Sequence, residues 1–178
     1  MKRATSLQTI MAIAVLLFTG GAAAAEEATI NAYATWEGRG QIYPTGVDQA
    51  TFVGAFSGVM FVEDAEDLLA TGNIICPGMM ELDLSDGSQV GHGQCTISNA
   101  AGERVFAEWT CTGDASTGCD GVFKLTAGTG SLEGITGEGD FTVRTGLHAM
   151  AATMAGNVVQ RTAAGLAIWR NFRYSVPD

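Results

Sequence analysis

The sequence predicts an all-β domain, namely a single antiparallel closed β-barrel of about eight strands. Short segments alternate apolar and polar residues with a period of two, which is typical of strands with one buried face. Glycine accounts for 24 of the 178 residues, about twice its usual share, and is scattered between these segments, which predicts many turns. No strand pattern alternates with a long helical pattern, which disfavours a parallel sheet, and barrel closure would remove exposed sheet edges.

The first two strands are predicted over residues 29–37 and 51–62. In each, one side carries most of the larger apolar side chains: Ile30, Ala32, Ala34 and Trp36 in the first; Phe52, Phe56, Met60 and Val62 in the second. Gly54 and Gly58 lie between the apolar residues of the second strand and predict bulges or bends where the sheet curves. The acidic segment 63–67 predicts an exposed loop or a short helical turn. Metal binding there is disfavoured, because the spacing of its carboxylates fits no calcium-binding loop.

The middle of the chain predicts two hairpins. Residues 74–84 and 90–98 flank Asp86-Gly87, a strong hairpin-turn signal, with Met80, Leu82 and Leu84 on the buried side of the first strand. The segment 99–102 predicts a second turn. It leads into a strand over 105–111 whose buried side carries Val105, Ala107, Trp109 and Cys111.

The last third predicts strands over 121–127, 140–144 and 166–175. Gly128-Thr129-Gly130 predicts a turn with a bulge between the first two of them. A phosphate-binding loop would need a helix after it, and here a strand pattern follows. Residues 146–165 carry apolar residues at helical spacing in an Ala- and Gly-rich segment. A short helix and a long hairpin both fit, and we expect a loop or short helix that covers one barrel end.

The N-terminal segment 1–25 reads as a signal peptide, which predicts a periplasmic or secreted protein. Lys2 and Arg3 precede the short apolar run Ile10–Phe18, and four alanines over 22–25 favour cleavage before Glu26. Residues 26–178 would then form one barrel domain. No other segment has the ~20 apolar residues of a membrane-spanning helix, so we expect no membrane insertion.

The formal net charge of −10 argues against two classes of partner. A strongly acidic domain repels the phosphate backbone of nucleic acids and the surface of anionic membranes. We therefore expect no nucleic-acid partner.

The four cysteines predict two disulfide bonds, because an exported protein matures in an oxidising compartment. Cys76 and Cys95 lie about equally far from the Asp86-Gly87 turn, so they are predicted to pair across neighbouring strands. Cys111 and Cys119 bracket a short loop and are predicted to pair with each other. Structural zinc sites use more closely spaced ligands, so we expect no metal.

Few residues are candidates for chemistry. His92 shares its parity with Val90 and Gln94 and is predicted to face solvent, while His148 lies in the unassigned segment. Glu108 and Arg144 are predicted on the outer face, although a carboxylate inside an apolar barrel could act as a general base. The methionines and histidines raise copper binding as a third possibility, but methionine as core filler is favoured. These methionines are Met79, Met80, Met150 and Met154.

Three segments between residues 90 and 143 resemble a known family: 91–97, 105–111 and especially Gly128–Phe141, with its Gly-Thr-Gly and Gly-x-Gly-x-Phe elements. This glycine pattern is similar to that of the allene oxide cyclase and dirigent barrels, and of exported bacterial proteins grouped with them. The resemblance implies an eight-stranded barrel with an apolar cavity, no cofactor and a tendency to form homo-oligomers. It identifies no catalytic or ligand-binding residue in this chain.

The sequence therefore predicts an exported barrel that holds a small hydrophobic ligand or serves a structural role in the cell envelope, and a catalytic role is not favoured. The alternative is a cofactor-free cyclase or isomerase that acts on a small hydrophobic substrate in the barrel interior. That alternative requires at least one ionisable group inside a water-poor pocket.

Overall fold

The computed structural model of the protein describes residues 26–63, 71–146, 151–155 and 158–177, and side chains between 151 and 161 are not described. The predicted signal peptide, most of the acidic segment 63–67, His148 and Met150 lie outside the described residues. Among the described residues, no helix is long and apolar enough to span a bilayer.

The described chain consists almost entirely of strands. Two of them, the first and the last, are 19 residues long and lie side by side. In chain order the strands are β1 (Glu26–Pro44), β2 (Gln49–Glu63), β3 (Thr71–Asp83), β4 (Ser88–Ser98), β5 (Arg104–Asp114), β6 (Gly118–Gly128), β7 (Thr136–Thr145), β8 (Ala151–Ala155) and β9 (Val158–Val176). A single 3-10 turn over Gly130–Leu132 joins β6 to β7.

Eight of these strands form a closed antiparallel barrel. Each strand from β1 to β6 pairs with the next, β7 pairs with β9, and β9 pairs back with β1 over residues 26–42. The short strand β8 pairs with β9 alone, as the other half of a hairpin that extends β9. The predicted fold class is confirmed, since ring closure leaves none of the eight barrel strands with an unpaired edge.

The barrel interior is filled by one side of each of the eight barrel strands, as the period-two patterns predict. The buried set includes Ala32 and Ala34 of β1, Phe52 and Met60 of β2, Ile74 of β3, Ile97 of β4, Ala107 and Trp109 of β5, Phe123 and Leu125 of β6, Phe141 of β7, and Ala167, Trp169 and Phe172 of β9. Trp169 and Phe172 are three positions apart and would face opposite sides of a regular strand. Both face inward because a bulge interrupts the β1–β9 register between Ile30 and Ala32.

Both predicted disulfides are present, and no described cysteine is free. Cys76 of β3 pairs with Cys95 of β4, with 4.0 Å between their Cα atoms. Cys111 of β5 pairs with Cys119 of β6 across the short turn. Two disulfides indicate that the protein matures in an oxidising compartment.

The predicted turns are confirmed with one correction. Gly87 and Gly102 occupy the left-handed backbone region at φ 81° and 83°, where glycine carries no steric penalty. The strand predicted over 74–84 ends at Asp83, however. Leu84 lies in the turn and is 61% exposed, because alternation alone does not say where pairing stops.

The preference for a loop or short helix over 146–165 is wrong for its described part. Residues 151–155 and 158–165 are strand, so the hairpin alternative is the correct one there. The physical reason is that β1 runs on to Pro44. Its segment from Gly38 to Ile42 needs a backbone partner, which residues 159–163 supply. Tertiary pairing overrides the helical spacing of the apolar residues.

One end of the barrel is closed by apolar residues from the β6–β7 connection, and we call it the plugged end. Leu132 and Ile135 are 1% exposed and pack in the core cluster with Val105. The carboxylate of Glu103 fixes this connection by accepting a hydrogen bond from the backbone N–H of Ser131 at 2.8 Å and one from the Asn99 amide at 2.9 Å. These bonds hold the pKa of Glu103 below its ordinary value of 4.5.

We expect acid to weaken the fold through this carboxylate. Because the pKa of Glu103 is lower in the folded protein, its stabilising effect is present above about pH 4.5 and is lost as the pH falls through the folded-state pKa. The variant Glu103→Gln should therefore lose less stability than wild type between pH 6 and pH 3. Urea unfolding at the two pH values measures this, and equal losses in both proteins would contradict it.

Candidate functional site

A partly open apolar cavity of about 120 Å³ lies in the barrel interior, toward the end opposite the plugged end. Its walls come from all eight barrel strands. They comprise, among others, Ala34 and Trp36, Phe52 and Phe56, Met80 and Leu82, Trp109, Phe123, Phe141, and Ala163, Ala167 and Trp169. Both disulfides also line the cavity. Its volume is close to that of an engineered apolar cavity that stays dry and binds benzene.

All three tryptophans of the chain line this cavity, each from a different strand. Trp109 of β5 is 7% exposed and Trp169 of β9 is 4% exposed, while Trp36 of β1 is partly buried. Edge-to-face contacts order them: Phe56 contacts Trp36 and Trp109 at centroid distances of 5.6 and 6.0 Å, and Phe123 contacts Trp169 at 5.3 Å. Such pairs favour one fixed arrangement of rings.

The indole N–H groups of these tryptophans have an uncommon property. The Nε1 atoms of Trp36, Trp109 and Trp169 are buried, and none has a hydrogen-bond partner among the described residues. Buried tryptophan N–H groups usually find a partner, and an unsatisfied donor costs about 1–3 kcal/mol. All three donors belong to side chains that line the same cavity, and Nε1 of Trp109 lies against the wall at Gly93. A ligand acceptor that reaches one of these donors would gain a hydrogen bond.

Glycines on the inner wall create the space for these rings. A Cβ on Gly78 would lie 2.5 Å from Trp109 Cζ2, and one on Gly93 would lie 2.8 Å from its Nε1. A Cβ on Gly165 would lie 2.9 Å from Trp36 Cζ2. The high glycine content was expected to mark turns, bulges and bends. Several glycines instead lie within strands, where an aromatic ring occupies the space that a Cβ would need.

We expect Gly78→Ala to displace Trp109 and lower the free energy of unfolding by about 1–3 kcal/mol, the usual cost of overpacking. The added methyl would also meet the backbone oxygen of His92 at 2.9 Å, so it cannot move aside freely. Denaturant unfolding measures the loss. The control Gly46→Ala, in the exposed β1–β2 turn, should change stability little, and an equal effect of both would contradict this account.

Gln89 is the one buried polar side chain among the described residues, and it also lines the cavity. Its Nε2 donates to the carbonyl oxygens of Asp114 and Gly118, at 3.2 and 3.4 Å. These bonds hold the start of β4 to the β5–β6 turn. Gln89 thus fixes the wall at the unplugged end of the cavity.

The ionisable residues considered from the sequence do not reach the cavity. Glu108 is exposed on the outer face beside Lys124 at 3.6 Å, and Arg144 is exposed beside Asp120 at 3.3 Å. The hydroxyl of Thr142 and then Arg144 hold the pKa of Asp120 below its ordinary value. His92 faces outward, as its parity predicts. Among the described cavity-lining residues, none carries a carboxylate, imidazole, amine or free thiol.

The residues considered for copper are not brought together. Met80 lines the inner cavity, whereas Met79 points outward, since neighbouring strand residues face opposite sides. The side chains of Met150 and Met154 lie outside the described part. No cluster of three or more His, Cys, Asp or Glu side chains that could hold a metal occurs in the described ranges.

A second concavity of about 620 Å³ lies outside the barrel, across β2 to β7, and we call it the outer groove. Val53, Met79, His92 and Val122 are among the residues that line it, and Trp109 reaches it past Gly78 and Gly93. The outer groove is open and mixed in polarity. The ring of Trp109 separates it from the inner cavity.

Sequence alternation places Trp36 and Trp109 on buried strand faces. It does not show that these two residues share a cavity with Trp169 and Gln89. The available signal was the inward parity of tryptophans in separate strands. That signal does not reveal which strands lie across the barrel from one another, so the cavity emerges only from the closed topology.

Comparisons with known proteins are sparse. No family model and no curated protein matches the sequence. Among solved structures, that of a pterocarpan synthase dirigent protein aligns with 94% of this chain and 99% of its own, with a TM-score of 0.40 and 8% identity. A likeness this remote carries no argument about activity, and the barrel assignment depends on the strand pairing described above.

Proposed function

We propose that this protein is an exported barrel that binds one small hydrophobic molecule in its interior cavity. The observation that carries the proposal is the interior cavity of about 120 Å³, partly open to solvent and lined by aromatic and aliphatic side chains. Interiors are normally packed to near-crystalline density, so a void of this size forgoes dispersion contacts that a ligand would restore.

Export is part of the proposal and has two supports. The N-terminal segment has the three regions of a signal peptide, and the two disulfides fit a periplasmic or secreted location. The glycine-rich stretch that resembles the allene oxide cyclase and dirigent barrels forms the plugged end. The subunit number in solution stays a prediction.

Binding without acid–base chemistry is the form of the proposal that the site supports best. A cyclase or isomerase that moves protons needs an ionisable group in contact with substrate, and the described lining supplies none. The cavity walls instead offer shape, aromatic faces and neutral donors. We therefore advance the ligand-holding function and not the catalytic alternative.

The test is binding of toluene, a one-ring apolar probe, in proteins whose cavity is open or filled. Wild type should be stabilised by toluene, by about 2.7 kcal/mol at a free concentration of 100 times the Kd. Ala163→Leu adds three carbons to the cavity wall and should abolish this stabilisation. Ala164→Leu is the matched control, because Ala164 pairs with the exposed Glu37 and does not line the cavity.

Thermal unfolding with and without toluene measures the stabilisation of wild type and of both variants. Stabilisation of wild type and Ala164→Leu, with none in Ala163→Leu, is the expected result. Absence of stabilisation in wild type at millimolar toluene, or unchanged stabilisation in Ala163→Leu, would refute an interior site.

A further inference from the structure

We propose that the natural ligand is a neutral one-ring molecule with a hydrogen-bond-accepting oxygen, such as a carbonyl, that binds the indole N–H groups of the cavity. This inference rests on the proposed function and adds the polarity of the ligand to it. The evidence is the set of three buried indole donors without partners among the described residues, all on side chains that line one interior cavity.

The chemistry of the indole explains why an acceptor is needed. The indole Nε1–H donates a hydrogen bond and cannot accept one. A pure hydrocarbon would fill the space and leave every donor unpaired, whereas an oxygen with lone pairs satisfies one or two of them. The burial of Trp109 and Trp169, each more than nine-tenths, makes an unpaired donor costly and a matching acceptor correspondingly selective.

The charge of the site favours a neutral acceptor over an anion. No lysine, arginine or histidine is among the described residues that line the cavity, and the chain carries a net charge of −10. A carboxylate in this apolar interior would lose its hydration without gaining an ion partner. A ketone, aldehyde or ether oxygen has a much smaller desolvation cost.

The free volume of the cavity favours a small ligand of about one ring. The cavity of about 120 Å³ is below the ~300–1,000 Å³ of drug-sized pockets and near the volume that accommodates benzene. The edge-to-face rings around it would pack against an aromatic or alicyclic ring.

The test compares two probes of nearly equal shape, acetophenone and α-methylstyrene, which differ by a carbonyl oxygen in place of a CH₂ group. Titration calorimetry should give an affinity about tenfold higher for the ketone, the value of one buried hydrogen bond to a donor that is otherwise unpaired. In ¹H–¹⁵N spectra the protein shows three indole resonances, since it has three tryptophans. The ketone should move at least one indole proton downfield, and the alkene should not.

Single variants Trp36→Phe, Trp109→Phe and Trp169→Phe then identify the donor. The variant that lacks it should bind both probes equally, while its retained affinity for α-methylstyrene shows that the cavity is intact. If the alkene binds wild type as tightly as the ketone, the acceptor proposal is wrong and the ligand-holding function stands. If neither probe nor toluene binds, both proposals are wrong.

Discussion

The variant Trp169→Ala is expected to lower the free energy of unfolding by about 3–5 kcal/mol, the usual cost of removing a large buried aromatic side chain. Trp169 is 4% exposed and contacts Phe123 and Phe141 at centroid distances of 5.3 and 6.0 Å. Its loss would remove the dispersion contacts of both rings and enlarge an existing cavity. The surrounding barrel cannot close in, because each strand is paired on both sides.

Urea unfolding of wild type and variant measures this effect. The matched control is Leu166→Ala, which shortens an apolar side chain of the same strand on the exposed outer face. It should cost less than 1 kcal/mol. A loss below 1 kcal/mol in Trp169→Ala, or equal losses in the two variants, would show that the Trp169 ring is not part of a packed wall.

The double variant Cys76→Ala/Cys95→Ala is expected to cost about 3 kcal/mol. The bridge spans 19 residues, and closing a loop of that length restricts the unfolded chain more than closing the eight-residue span of Cys111–Cys119 does. The bridge also joins β3 and β4 between the backbone pairs Ile75–Thr96 and Gly78–Gly93, and Pro77 within that interval has no N–H to donate.

The second bridge provides the comparison. Cys111→Ala/Cys119→Ala should cost about 2.5 kcal/mol, slightly less than the first pair in the same chain-entropy treatment. Chemical denaturation of both double variants, under conditions that keep the remaining bridge oxidised, gives the two values. A change below 1 kcal/mol in Cys76→Ala/Cys95→Ala would contradict a structural role for that bridge.

Local patterns were sufficient to predict the strands and the cysteine pairs. The alternation of Val105, Ala107 and Trp109 is typical of a half-buried strand, and Asp86-Gly87 is typical of a hairpin turn, which spans residues 84–87 in the structure. The distances of Cys76 and Cys95 from that turn then fix their cross-strand pairing. Each of these inferences depends on residues close together in the sequence.

The remaining features depend on contacts that close the barrel. The extension of β9 through residues 158–165 follows from the length of its partner β1, at the other end of the sequence. The cavity depends on which side chains lie across the barrel from Trp36 and Trp109. Neither the length of the partner strand nor the neighbours across the barrel can be deduced from a local pattern. The sequence alone therefore predicts neither the hairpin within 146–165 nor the grouping of the three tryptophans.

The central claim is that a small apolar molecule binds inside the barrel, between the tryptophans. Isotope-filtered NOE spectra of the protein with bound toluene test it most directly, because they report which protein protons lie next to the probe. The account predicts contacts to Ala34, Ala167 and the indole ring of Trp169 on the inner wall. Contacts confined to Val53, Met79 and Val122 would place the probe in the outer groove and contradict the account.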